Sequence, residues 1–324
     1  MNNLHVYFMN LCPSSTVSRY CLSRPASTVA SFSRTALLLI GGLIVFSPLM
    51  DGGTTHVAVM ITRLMIFALL GTYIVHGIRA GTMQVPHIAP ASAIASYLVL
   101  AIASTILSPY TNQSMQWILV LMSYAVFLYV LVAFLTAWQC IGTLLVVLSG
   151  MGLLEAGSII MQACWYGKPR PSGTFFNPNF VAGYLAAIWV VIFSVFCSAI
   201  PRRIRWITSN PYRVFGVLSV GILLVVICVA IALTRSRGGG VALLGGLALV
   251  MWLRFGRKGI SVFLVVLFAG ILIPNPWRDR FYIEYLTNPV GYARWQIWQS
   301  SLSTMLEHPL GIGLGLYQYE APRY

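Results

Sequence analysis

Apolar runs of about twenty residues recur along this chain, separated by short segments that hold most of its cations, and this alternation leaves few folds open. With 58% hydrophobic and only 8% charged residues, the chain cannot cover a water-soluble globule with polar surface. In hydrocarbon every backbone polar group must be satisfied within the protein, and runs this long suit α-helices rather than the shorter strands of a barrel. The predicted fold is therefore all-α and polytopic. Nine spans are expected, at residues 35–50, 57–78, 90–108, 115–138, 141–163, 179–200, 213–234, 240–253 and 259–274, the first and eighth being short. Trp117, Trp138, Trp252 and Trp277 fall at or near span ends, where amphipathic rings favour the interface.

The formal charge of +14 does not make a nucleic-acid surface, because the cations sit in short runs between apolar stretches and not on one solvated face. They set orientation instead. With the N-terminus inside, cytoplasmic segments hold Arg19, Arg24, Arg34, Arg79, Arg202, Arg203, Arg205, Arg213, Arg254, Arg257 and Lys258. The short outer loops keep only Lys168, Arg170, Arg235 and Arg237, on the side where the topology rule disfavours them. The organisation expected is a cytoplasmic tail (1–34), N-terminal spans (35–163), a core membrane region (164–274) and the start of a large outer loop (275–324). The tail is Ser- and Arg-rich without acids, and it is read as a solvated lead-in or an overextended start, followed by a retained anchor. The six cysteines are scattered without a CxxC pair, which argues for small apolar residues and against a zinc site or disulfide framework.

Three segments spend polar residues at the membrane surface. In the loop at 164–178, Pro171 and Gly173 break helix, Asn177-Pro178 signals a turn, and Asn179 is expected to cap the next helix. That helix start offers partial positive charge to an anion, with Lys168 and Arg170 beside it. The same residues also suit an ordinary capped turn with two interfacial cations. In the hairpin TRSRGGG at 234–240, Ser236 to Gly240 are expected to turn on glycine flexibility and to present amides to an anion, next to Arg235 and Arg237. Close helix packing and snorkelling arginines are the competing reading.

The third segment lies in the outer tail. Trp295, Trp298, Leu302, Met305 and Leu306 recur at helical spacing with Arg294, Gln296, Gln299 and Ser303 between them, as in an amphipathic helix lying on the membrane. Pro309 ends that helix at His308, and the GIGLG run at 311–315 is expected to be a flexible turn, not a nucleotide loop. Two ionisable residues fall inside spans, Arg63 and Glu155, which could pair with each other or face a glycan path.

Taken together and in order, these segments resemble the O-antigen ligase, polymerase and protein O-oligosaccharyltransferase family of bacterial membrane glycosyltransferases. The resemblance runs from Arg170 to Tyr317: an Arg before a G-T-F-x-N-P-N-like loop, a T-x-S-R-G hairpin, and an R-x-x-x-W helix leading into H-P-x-x-G-x-G. It implies an inner-membrane enzyme that works on the periplasmic side without cofactor or metal. Such an enzyme takes a glycan from an undecaprenyl diphosphate-linked donor to lipid A-core, another glycan or a protein. Arg170, Arg235 and Arg237 are the expected diphosphate-holding catalytic residues, and Lys168, Asn177, Asn179 and Arg294 the expected substrate contacts. The residue inventory agrees with a metal-free reading: Asp51, Glu155, Asp279, Glu284, Glu307 and Glu320 are the only carboxylates and form no DxD, so guanidinium groups must stabilise the leaving phosphate.

The resemblance places the base that accepts the hydroxyl proton on a histidine beyond Tyr324, so the chain is expected to be truncated. His308 is the only histidine of the outer tail and is expected mainly as a helix-end residue, with the base as its alternative role. The rival class is a flippase for lipid-linked sugars; against it, no internal repeat is visible and the distinctive cations gather at one face.

Overall fold

The computed structural model describes residues 26–81, 91–135, 141–199, 211–272 and 290–320. All regular structure among them is helical: α1 (Ala26–Leu49), α2 (His56–Ala80), α3 (Ala91–Ile106), α4 (Thr111–Leu135), α5 (Ile141–Cys164), α6 (Pro178–Ala199), α7 (Pro211–Leu233), α8 (Arg237–Leu272), α9 (Val290–Glu307) and α10 (Tyr317–Glu320). Among the described residues, six helices are long and apolar enough to cross a membrane, and α3 and the 34–49 part of α1 are shorter apolar helices. Local signals set their ends. The Thr55 hydroxyl accepts from the Ala58 amide at 3.3 Å to start α2, and Gly81, left-handed at φ 66°, donates to Ile78 O at 3.2 Å to stop it. Trp138 and Trp277 lie outside the described residues.

The spans predicted at 240–253 and 259–274 form as two helical arms of α8, separated by a kink. A straight helix of its 36 residues would run about 54 Å, well beyond the roughly 30 Å of hydrocarbon. The chain breaks it at Gly256, whose φ 60° and ψ −142° are open only to glycine, inside the basic segment 254–258. The apolar pattern is interrupted at the same place, by Arg254, Arg257 and Lys258.

The core is centred on α6. Its apolar window is 44% buried, against 22–28% in the other five long helices, because α5, α7 and α8 all pack on it. Gly239 on α8 lies against Ala182 on α6, and Gly246 lies against Val190, so the two helices run parallel with their N-termini side by side. Trp189 ties α6 to α7: its indole donates to Leu224 O at 2.9 Å while its ring stacks on Phe193 at 4.8 Å. A second apolar cluster, including Ile40, Leu69, Tyr73 and Phe134, joins α1, α2 and α4. Outward faces carry large apolar side chains such as Leu38, Phe215 and Leu253, as helices surrounded by lipid do.

Helix α9 forms as predicted, with Trp298, Leu302, Met305 and Leu306 exposed along one side. Its inward side is small and polar: Thr304 is buried, and Ser301 and the Ile297 carbonyl meet the Tyr317 hydroxyl at 2.6 and 3.1 Å. An apolar stripe turned away from the protein is the arrangement of a helix whose solvent on that side is lipid.

Candidate functional site at one end of the bundle

The loop at 165–177 is held by side chains, since it has no regular backbone ladder of its own. Gln162 in the last turn of α5 accepts from the amides of Ser172 (3.1 Å) and Gly173 (3.2 Å) and donates to Gly173 O (2.7 Å). One turn of loop later, Thr174 N donates to Glu155 Oε2 at 3.1 Å, while its hydroxyl meets Glu155 Oε1 and donates to Pro48 O at 2.8 Å. Phe175, buried, closes the loop against Gly52 in the α1–α2 turn and against Tyr184, ring centroids 5.4 Å apart. The loop therefore bridges α1, α5 and α6 and leaves Lys168 and Arg170 exposed.

The cap of α6 differs from the one expected. Asn177 is the capping residue: its side-chain oxygen accepts from Asn179 N at 2.8 Å and its carbonyl from Phe180 N at 3.1 Å. Pro178 begins the helix, where its fixed φ is suited and its missing N–H costs nothing. Asn179 is thereby moved into the first turn, and its side-chain oxygen accepts from Arg170 Nη2 at 3.3 Å. The expected cap has become the residue that meets the loop arginine.

The hairpin at 234–240 is likewise built differently. Gly238, Gly239 and Gly240 are not the turn but the first turn of α8. The turn falls on Arg235, which takes φ 53°, unusual for a residue with a Cβ, and donates its amide to Ala232 O at 3.0 Å. Thr234 closes α7 with its hydroxyl on Ile231 O at 2.7 Å, and Ser236 caps α8 by accepting from Gly239 N at 3.2 Å. Both are fully buried. Arg235 is exposed and Arg237, opening α8, half-buried. Gly239 serves packing: a Cβ there would collide with Ala182. The partial positive charge at this point is that of the N-terminus of α8, not of a glycine nest.

The tail reaches the same end of the bundle. The 311–315 run, expected to be flexible, is docked: Gly313 N donates to Ser104 Oγ at 3.1 Å at the α3–α4 turn. Gly311, Gly313 and Gly315 all have positive φ, at 85°, 107° and 74°. A Cβ on Gly313 would strike the hydroxyls of Ser108 and Ser114, themselves bonded at 3.0 Å, and one on Gly315 the Trp117 ring. Leu316 beyond them is fully buried. Turns α1–α2 and α3–α4, loop 165–177 and hairpin 234–236 alternate regularly with the helices, so all four and the tail gather at one end.

The remaining candidates are placed as follows. His308 is exposed and stands at the end of α9, with its amide on Thr304 O at 2.9 Å and its carbonyl accepting from Gly311 N at 2.8 Å. Arg294 falls in α9, and its side chain lies outside the described residues. Arg63 and Glu155 have separate partners: Arg63 Nη2 donates to Gln116 O at 3.3 Å with its Nε buried and unbonded, while Glu155 is engaged by Thr174. The α5 clamp of Glu155 and Gln162 was missed from sequence, although two polar residues seven apart in an apolar helix lie on one face and were its signal.

Residues 222–324 match the family model of O-antigen ligase. No curated protein and no solved structure matches the chain. The matched stretch, about a third of the chain, runs from within α7 through α8 and α9 and takes in Arg235, Arg237, Arg294, His308 and the docked glycine turn. It does not reach the 165–177 loop or α6. What connects those to it is packing, since α6 and α8 lie parallel and in contact from their first turns. This chain is a multi-helix membrane protein whose residues 222–324 are similar to O-antigen ligase, with the Arg170 loop seated beside that segment.

Proposed function

We propose that this protein transfers a glycan from a polyprenyl diphosphate donor, undecaprenyl diphosphate in bacteria, to an acceptor hydroxyl at the periplasmic face of the inner membrane. The observation that supports this reading is a pair of adjacent, parallel helix N-termini, at Pro178 and Arg237, with Arg170 bonded to the first turn of one and Arg235 and Arg237 at the start of the other, inside the segment that matches O-antigen ligase. Two helix ends and three guanidinium groups would together supply the positive charge that a diphosphate calls for. In the reaction the acceptor oxygen attacks the anomeric carbon, and the bond from that carbon to the diphosphate oxygen breaks with its electron pair on the phosphate. The hydroxyl proton leaves to a general base, for which His308 is the histidine present in the outer tail. Arginine takes the place of a metal as the group that stabilises the leaving diphosphate. Lys168, Asn177, Asn179 and Arg294 extend the substrate surface around it.

The test is Arg237→Lys in full-length protein at matched membrane level, with glycan transfer and undecaprenyl diphosphate release measured in proteoliposomes. Lysine keeps the charge but loses the two-pronged geometry, so turnover should fall by about tenfold or more. Near-native turnover would leave Arg237 as a topological anchor. Movement of lipid-linked sugar between leaflets without transfer would replace the enzyme reading with a flippase.

A further inference from the structure

Glu155 is fully buried in a membrane helix, a costly position for a carboxyl group, and its partners lie in the loop rather than in a span. Together with Gln162, two turns further along the same face of α5, it takes up three consecutive loop amides, those of Ser172, Gly173 and Thr174. The fit is close. Gly173 is at φ 61°, and a Cβ there would collide with Glu155 Oε2, so the loop backbone lies directly on the carboxyl. Arg170 stands two residues before this clamp and meets Asn179 on the far side of it.

We propose that Glu155 is a positioning residue that sets the Arg170 loop over the ends of α6 and α8, and that it acts through hydrogen bonds and not through charge or proton transfer. The proposal rests on the transferase reading for its effect on activity, but not for its effect on the loop. An uncharged amide can hold the same contacts as Glu155, with the bond to the Thr174 hydroxyl reversed in direction. Its oxygen would accept from Thr174 N, and its NH2 would donate to the Thr174 hydroxyl, which in turn donates to Pro48 O.

The experiment uses full-length protein in detergent or nanodiscs, with hydrogen exchange followed on peptides covering 168–180 and glycan transfer measured in parallel. Glu155→Gln and Thr174→Ser should keep slow exchange and near-native transfer. Glu155→Ala and Thr174→Val should speed exchange at residues 172–174 and lower kcat/KM for the lipid-linked donor by about 10- to 100-fold, the cost of displacing a positioned group. Should Glu155→Ala fail to fold, Thr174→Val with its Thr174→Ser rescue carries the comparison. Slow exchange in Glu155→Ala or in Thr174→Val would overturn the clamp. Loss of transfer in Glu155→Gln with exchange unchanged would overturn the hydrogen-bond role in favour of charge. A chain with no transferase activity would still give the exchange pattern, so failure of the functional reading is seen separately.

Discussion

Arg235 holds a left-handed backbone, φ 53°, in which a Cβ crowds the following carbonyl at a cost of about 1–2 kcal/mol. The hairpin places this strain on an arginine although three glycines follow within five residues, and strain of this kind tends to persist where a side chain is needed. Its neighbours Thr234 and Ser236 are buried and tied to the helix ends, so Arg235 has no freedom to shift along the turn. Arg235→Gly removes the strain at the expense of a more flexible unfolded chain, and the two effects, each about 1 kcal/mol, nearly cancel. The expected outcome is an unchanged melting temperature with transfer reduced about tenfold or more. Loss of melting temperature in step with transfer would show that Arg235 serves the turn and not the substrate.

Among elements, α9 and the glycine turn behave as one docked unit. The helix presents its serine and threonine side to Tyr317, and the turn seats on Ser104, Ser108, Ser114 and Trp117 of the α3–α4 end. The alternate positive-φ positions at 311, 313 and 315 account for glycine in each, because a side chain there would meet both a forbidden conformation and a neighbouring atom. Gly313→Ala should therefore cost more than about 1 kcal/mol of docking. It should appear as faster hydrogen exchange at residues 311–317 while the bundle melts as before, since the buried helices do not rely on the turn. Unchanged exchange in this variant would mean that the turn does not dock.

At the scale of the whole molecule, α5 to α8 form a unit around α6, and the polar contacts gather at one end of it. The cation distribution predicts that this end is periplasmic. Reporter fusions at 164–178, 235–239 and 275–324 should signal from outside, and fusions at 201–212 and 254–258 from inside. A cytoplasmic signal from the 164–178 loop would reverse the orientation and remove the proposed donor from reach of the site.

By itself the sequence determined the all-helical membrane architecture, the approximate span limits and the three polar segments, because hydropathy and turn residues act locally along the chain. It also held the terminators that the structure uses, such as Gly81, Asn177-Pro178 and Pro309. Which residues meet was decided only by the tertiary structure. Helices that are apolar nearly all round have no polar face to announce which side is inward, so the parallel seam of α6 on α8 was not legible. The same holds for single residues. Asn179 lost the cap to Asn177 once Pro178 took the first helical position, and Gly239 turned from a loop residue into a helix contact because Ala182 lies against it. Glu155, expected to pair with Arg63 or to face a glycan path, instead meets Thr174 where the chain folds back, a contact between residues 19 apart that no local pattern encodes.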